Sequence, residues 1–238
     1  EGRELKGIHY AMEYLTQQNN NHKNISDDNK ILAHGKHVVI LGGGDTGADC
    51  LGTAHRQGAK SVTQLELMAM PPEVRSESNP WPEWPLVMRT SSAHEEGGSR
   101  EYSVMTKRLT GSNGVVKKLH GVRVNFEKDS NGKMQLVEGP NSDFQIDADL
   151  VLLAMGFLHP QKEGLIESLD LTLDNRGNIE TTGEMMSSKN KVFACGDMSH
   201  GQSLVVKAIA SGRECARNID MWLMGESRLP RVRGFAKS

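Results

Sequence analysis

Hydrophobic and polar positions follow one another with a changing period, and each change marks a candidate element. In LKGIHYAMEYLTQQ, Ile8, Met12 and Leu15 recur at helical spacing, which predicts an amphipathic helix over Leu5–Gln18. Asn19 to Lys30 is polar and turn-forming, the mark of a linker or surface loop. The unbroken apolar run His37–Leu41 predicts a buried strand, and Thr46–Gln57 then puts Ala48, Leu51 and Ala54 on one face of a helix. Lys60–Met68 alternates and predicts a second strand. Strand, helix, strand is the opening of an α/β sheet.

From Pro71 to Gly98 periodicity stops: PPEVRSESNPWPEWP carries five prolines and two tryptophans, so no regular element is expected. A loop of that length in a compact domain is functional or mobile as a rule. Trp81 and Trp84 are expected to anchor it to its own domain. Short strands follow from Arg100 to Gly156, with VVKKLHGVRVNF and KMQLVE flanking DSNGK as a hairpin whose tip is Asn131-Gly132. Leu150–Ala154 predicts a further buried strand. The last third holds an apolar strand, VFACGD, and a helix over Leu204–Leu223.

Composition narrows the partners. A chain of 238 residues can bury a substantial core, and a net charge of −2 with pI near 6.6 gives no basis for nucleic-acid or anionic-membrane binding. No apolar stretch approaches the roughly 20 residues of a membrane helix. EGRELKG lacks the features of a signal peptide, and a start without Met is expected of a fragment or processed piece. Cys50, Cys195 and Cys215 form no CxxC pair, so they read as small buried hydrophobes in a reducing compartment. The nine histidines show no ligand spacing, and His94-Glu95-Glu96 lacks the second His of a zinc motif, leaving it as loop chemistry or a nucleotide-domain contact. The terminal RLPRVRGFAKS is basic and reads as a solvated tail.

Chemistry concentrates at two strand ends. Gly42-x-Gly44-x-x-Gly47, with Gly43, Asp45 and Thr46 between, sits where a strand turns into a helix. There the first glycine permits the turn, the second admits a pyrophosphate, and the third lets helix and strand pack closely. The anion would lie on free N–H groups at the helix start. Glu66, nineteen residues after Gly47, is placed to accept from adenosine ribose hydroxyls, which favours NAD(H) over NADP(H); the other reading is a solvent-facing carboxylate. Arg75 lies within reach of a 2′-phosphate. At the second end Gly196-Asp197 closes an apolar run, and Gln202, Ser203, Leu204 and Val205 open the long helix. An Asp there can accept from a sugar-chain hydroxyl, or simply cap the turn.

GGGDTGADC, SSAHEEGG, DLVLLAMGF and VFACGDMSHGQSLVVKAIASGRECA, in that order, resemble the small (beta) subunit of glutamate synthase, and EGRELKGIHYAMEYLTQQN is similar to the segment before that family's nicotinamide domain. The resemblance implies an α/β fold in which a Rossmann-like NAD(P)H-binding domain is inserted in an FAD-binding domain, here partial. It implies a first FAD-domain segment and linker over 1–33, the NAD(P)H domain over 34–155 with Gly156 at the return crossing, and the rest of the FAD domain over 156–238. Gly42, Gly44, Asp45, Thr46 and Gly47 would then bind NAD(P)H, while Gly196, Asp197 and Gln202 to Val205 would meet FAD. Some members carry an Arg-Arg pair after the second strand; Leu67-Met68 stand here, in line with NADH.

The implied activity is hydride transfer from NAD(P)H to FAD in a cytoplasmic enzyme. Electrons would pass through an iron–sulfur segment, in an amino-terminal half without counterpart here, to a large subunit that makes glutamate from 2-oxoglutarate and glutamine. No protein acid or base is required for the hydride step, since the cofactors carry it. Two alternatives stay open: another NAD(P)H:flavin electron-input oxidoreductase of the same architecture, and a nucleotide-binding fragment without turnover of its own.

Overall fold

The computed structural model describes residues 1–20, 30–83 and 85–232; most of the polar linker, Trp84 and the end of the basic tail lie outside them. The chain divides into two compact units, Glu1–Gly156 and Phe157–Ser238.

The first unit is built on a five-stranded, wholly parallel sheet. Its strands are β1 (Ile8–Tyr10), β2 (His37–Leu41), β3 (Ser61–Leu65), β4 (Ser99–Glu101) and β8 (Leu150–Leu153), in the order β1-β8-β2-β3-β4. A strand covered on both faces needs apolar residues along its buried length, which is why β2 runs VVIL without a break after half-buried His37. Val38 and Ile40 face a layer that includes α1 (Ala11–Asn19) and α2 (Asp45–Arg56), with Tyr14, Cys50, Leu51 and Ala54. Val39 and Leu41 face the opposite way, among Val104, Leu109, Val116 and Leu119 of an antiparallel three-stranded sheet. That sheet is β5 (Val104–Ser112), β6 (Val115–Lys128) and β7 (Met134–Asp147), in that order. As the pattern predicts, Ala48, Leu51 and Ala54 are buried and Gly132 turns the β6–β7 hairpin at φ +77°.

Four elements depart from the sequence pattern. The first half of the helix expected over Leu5–Gln18 is instead β1, paired Ile8 to Val151 through Tyr10 to Leu153. A vacant edge of β8 outweighs local helical spacing there, and the helix begins only at Ala11. The strand expected over Lys60–Met68 stops at Leu65, so Glu66 stands just past its end. VFACGD forms no strand: Phe193 makes one antiparallel bridge to Met186, and without a ladder an apolar run stays irregular. The loop expected between Pro71 and Gly98 hides the short helix α3 (Ser92–Glu95). Trp81 anchors nothing, being 82% exposed.

The second unit holds α4 (Leu165–Ser168), α5 (Asp197–His200) and α6 (Val205–Met224), with Ile166, Leu171, Ile179 and Ala194 as its buried cluster. Gly225 ends α6 in the left-handed conformation, at φ +76°.

Candidate functional site

At the carboxyl end of β2 the chain turns through Gly42, Gly43 and Gly44 into α2, whose N-cap is Gly44 with no side-chain cap on the helix start. The glycines differ in what requires them. Gly42 takes φ +120° and lies against the Ala154 carbonyl, so a side chain is excluded twice over. A Cβ on Gly47 would strike the Gly42 carbonyl and the Gln64 amide; this glycine lets α2 start against the turn. At Gly44 a Cβ would meet nothing within 4 Å, which leaves that approach open to a ligand. An uncapped helix start with open space before it suits an anion.

The turn is braced by side chains from β3 and just beyond it. Glu66 Oε2 accepts from the Gly43 N–H at 2.6 Å and Oε1 from the Met68 N–H at 2.8 Å, so the carboxylate lies directly on the glycine turn. Buried Gln64 donates from Nε2 to the Gly42 carbonyl at 2.8 Å, and its Oε1 accepts from His94 Nε2 at 3.0 Å. His94 Nδ1 in turn accepts from the Ser91 N–H at 3.2 Å, which assigns the ring proton to Nε2. Burial first, then the Arg100 charge, holds His94 below the usual histidine range against the opposing pull of Asp45. The ring is neutral at pH 7.

Sequence reasoning found the glycines and Glu66 but passed over Gln64. In SVTQL it stands beside Ser61 and Thr63, so its polarity alone did not single it out. Asp45 and Thr46 open α2, which starts one residue before the expected Thr46. Arg75 is spent within its loop, donating from Nη1 to the Asn79 carbonyl at 3.1 Å and the Glu83 carbonyl at 2.9 Å. Gly156 is exposed, at φ +85°.

In the second unit Gly196 takes φ +64° and donates its N–H to Ser211 Oγ at 2.9 Å, fixing the turn to α6. Asp197 is exposed at the start of α5, and Gln202 donates to the Phe157 carbonyl at 2.6 Å. Ser203 is exposed, Leu204 is the N-cap of α6 without a side-chain cap, and Val205 begins the helix, 74% exposed. Cys50 and Cys215 are buried, with thiols pushed up to about 12 and about 11; burial leads in both, joined by Asp49 and Cys195 respectively. Such thiols are poor nucleophiles at pH 7. Among the described residues no His, Cys, Asp or Glu cluster could hold a metal ion, and no helix is long and apolar enough to cross a membrane.

Comparison with known proteins gives a consistent picture. The family model of the pyridine nucleotide-disulphide oxidoreductases matches residues 4–212. The chain is 50% identical over 234 residues to the glutamate synthase [NADPH] small chain of Mycobacterium tuberculosis, covering 96% of this chain and 47% of that one. It is 43% identical to glutamate synthase [NADH] of Schizosaccharomyces pombe, over 99% of this chain and 12% of that one. The Bacillus subtilis glutamate synthase [NADPH] small chain is 41% identical, over 97% and 48%. The chain thus spans about half the length of the bacterial small chains it matches. Among solved structures, Mycobacterium tuberculosis FprA in complex with NADPH has a TM-score of 0.64 at 13% identity, over 93% of this chain and 59% of that one. That likeness bears on the fold.

Proposed function

Because the chain belongs to the pyridine nucleotide-disulphide oxidoreductase family, we propose that it forms the nicotinamide-dinucleotide half of the electron-input subunit of a glutamate synthase. The observation that carries this reading is the glycine turn at Gly42–Gly47, open at Gly44, with the Glu66 carboxylate on the Gly43 N–H. In this reading the first unit binds NAD(P)H. The N–H groups of Asp45, Thr46 and Gly47 at the start of α2 hold the pyrophosphate, and Glu66 accepts from the adenosine ribose. The second unit contributes one edge of an FAD site through Gly196, Asp197 and Gln202 to Val205, whose backbone and helix start suit a polar ligand atom. When bound, the two cofactors supply hydride transfer; this chain's residues bind, orient and exclude water. A large glutamate synthase subunit, an iron–sulfur segment and a cytoplasmic setting complete the proposal.

Glu66 decides between the two nicotinamide cofactors. A carboxylate tied to two backbone N–H groups cannot swing away cheaply, and a 2′-phosphate beside it would be repelled. Arg75, donating to two carbonyls of its own loop, offers no ready counter-charge. Calorimetric titration with NADH and NADPH, with and without FAD, tests the reading. NADH is expected to bind about tenfold tighter, a gap of about 1.4 kcal/mol, and Glu66→Gln to close most of it. Equal affinities in the unaltered chain remove Glu66 as a ribose reader. Binding of neither dinucleotide overturns the proposed site.

A further inference from the structure

His94 belongs to the SSAHEEGG stretch, which lies outside the glycine turn, yet its ring is wired to that turn. Ser91 donates its N–H to His94 Nδ1, His94 Nε2 donates to Gln64 Oε1, and Gln64 Nε2 donates to the Gly42 carbonyl. Every polar atom in this series has its partner, and Gln64 at its centre is 2% exposed. The His94 end is held independently. Arg56 of α2 pairs with Glu96, next to α3, and Arg100 of β4 ties the preceding segment through the Arg89 carbonyl at 2.9 Å and Thr90 Oγ1 at 3.2 Å. At Gly52 a Cβ would come within 3.1 Å of the Ala93 Cβ, so α2 and α3 pack closely there. His94 is therefore a fixed strut rather than a loose loop side chain.

Gly42 stands at the far end of that strut. Its φ of +120° is a conformation few residues hold, and its carbonyl is the atom against which Gly47 packs. Rotation of that peptide would shift the neighbouring Gly43 and Gly44 and the start of α2. A half-buried carbonyl accepting from the amide of buried Gln64 resists such rotation, because breaking the bond leaves that amide unpaired.

We propose that His94 and Gln64 are positioning residues for the nicotinamide dinucleotide, holding the Gly42 peptide so that the turn and the α2 N-terminus meet the pyrophosphate preorganised. The inference rests on the dinucleotide reading of the turn. His94 touches no ligand atom in this role; it acts through Gln64. Its neighbours are charged, with Asp45 on α2 and Arg100 on β4 both acting on the ring and Glu95 and Glu96 adjacent in sequence, so neutral substitutions test the relay without adding charge.

Two amides separate the halves of the imidazole. In His94→Gln the amide nitrogen reaches the place of Nε2 and keeps the donation to Gln64 but gives up the Ser91 contact. In His94→Asn the amide oxygen keeps the Ser91 contact and cannot reach Gln64. The experiment is calorimetric binding of NADH to the full chain at pH 7.5, with thermal melts of each variant. His94→Gln is expected to bind within about twofold of the unaltered chain and His94→Asn about fivefold more weakly, whichever variant melts lower. Gln64→Met is expected to weaken binding as His94→Asn does, and the double variant to be no weaker than either single one, because both break the same connection. Tight binding by His94→Asn, or losses that multiply in the double variant, overturns the proposal while leaving the dinucleotide site standing. No NADH binding by the unaltered chain overturns both.

Discussion

Single side chains do two kinds of work in this molecule, and Asp149 illustrates the structural kind. Its Oδ1 accepts from Lys117 Nζ at 2.9 Å and its Oδ2 from the His37 N–H at 3.2 Å, joining β6 to the start of β2 just before β8. The Lys117 hydrogen bond, aided by the His37 N–H, holds the Asp149 carboxyl below its usual value of 3.8. A lowered carboxyl value means that the folded state favours the ionised form. Its contribution is complete above that reference value and is lost as pH falls through the folded one. Asp149→Asn is therefore expected to lower the melting temperature at pH 7 and to have a progressively smaller effect below pH 4, read by thermal melts across pH. A constant gap at every pH would assign the loss to packing instead. Glu66 and Gln64 illustrate the other kind: polar groups whose hydrogen bonds go to the backbone of the glycine turn. The glycines of that turn and Glu66 could be picked out from the amino-acid order, because each answers to a local requirement. Gln64 could not, since its role depends on a histidine thirty residues away.

At the scale of elements, local pattern succeeded where an element makes its own case. β2 and α2 emerge with nearly their expected bounds, since an apolar run and a one-sided helix are each self-consistent. β1 is three residues long, too short for period two to show, and exists through its pairing with β8. VFACGD failed in the opposite sense: apolar enough for a strand, it finds a single bridge in place of a ladder. The β6–β7 hairpin lies between these cases. Its tip was marked by Asn131-Gly132, whereas the fourteen-residue length of each strand was not. At that tip Asp129 Oδ1 accepts from the Asn131 and Lys133 N–H groups at 2.8 and 2.9 Å, and Gly132 has open space around it at φ +77°. Gly132→Ala should therefore cost only backbone strain, about 1 kcal/mol. A thermal melt lowered by a few degrees with NADH affinity unchanged is the expected result; loss of binding would reveal a role for the ribbon at the site.

The whole molecule is two units, divided after Gly156. Met155, Phe157 and Leu158 are 69%, 57% and 85% exposed, an unusual sequence of apolar residues to leave in solvent. Limited digestion with chymotrypsin is expected to cut first at Phe157 or Leu158 and to release a resistant piece ending there. Since every strand of both sheets and the glycine turn lie before Gly156, that piece should melt cooperatively and bind NADH with the affinity of the full chain. A piece that digests onward to peptides would contradict the independence of the first unit.

Strand order carries a consequence for how the chain acquires its shape as it is made. β1 is the first strand of the unit to be synthesised, and its neighbour β8 is the last. β8 also lies between β1 and β2, so the parallel sheet has a gap through its middle until Leu150–Leu153 emerges. Until then only the β2–β3–β4 part of the sheet, with α2, and the β5–β6–β7 meander can form from neighbours in sequence. Closing the gap joins the earliest and latest parts of the unit in one step, across a long intervening chain, and contacts of that kind slow folding. Nascent chains halted before Leu150 should remain protease-sensitive around β1, and the proposed dinucleotide site, with Ala154 behind Gly42, should be finished last.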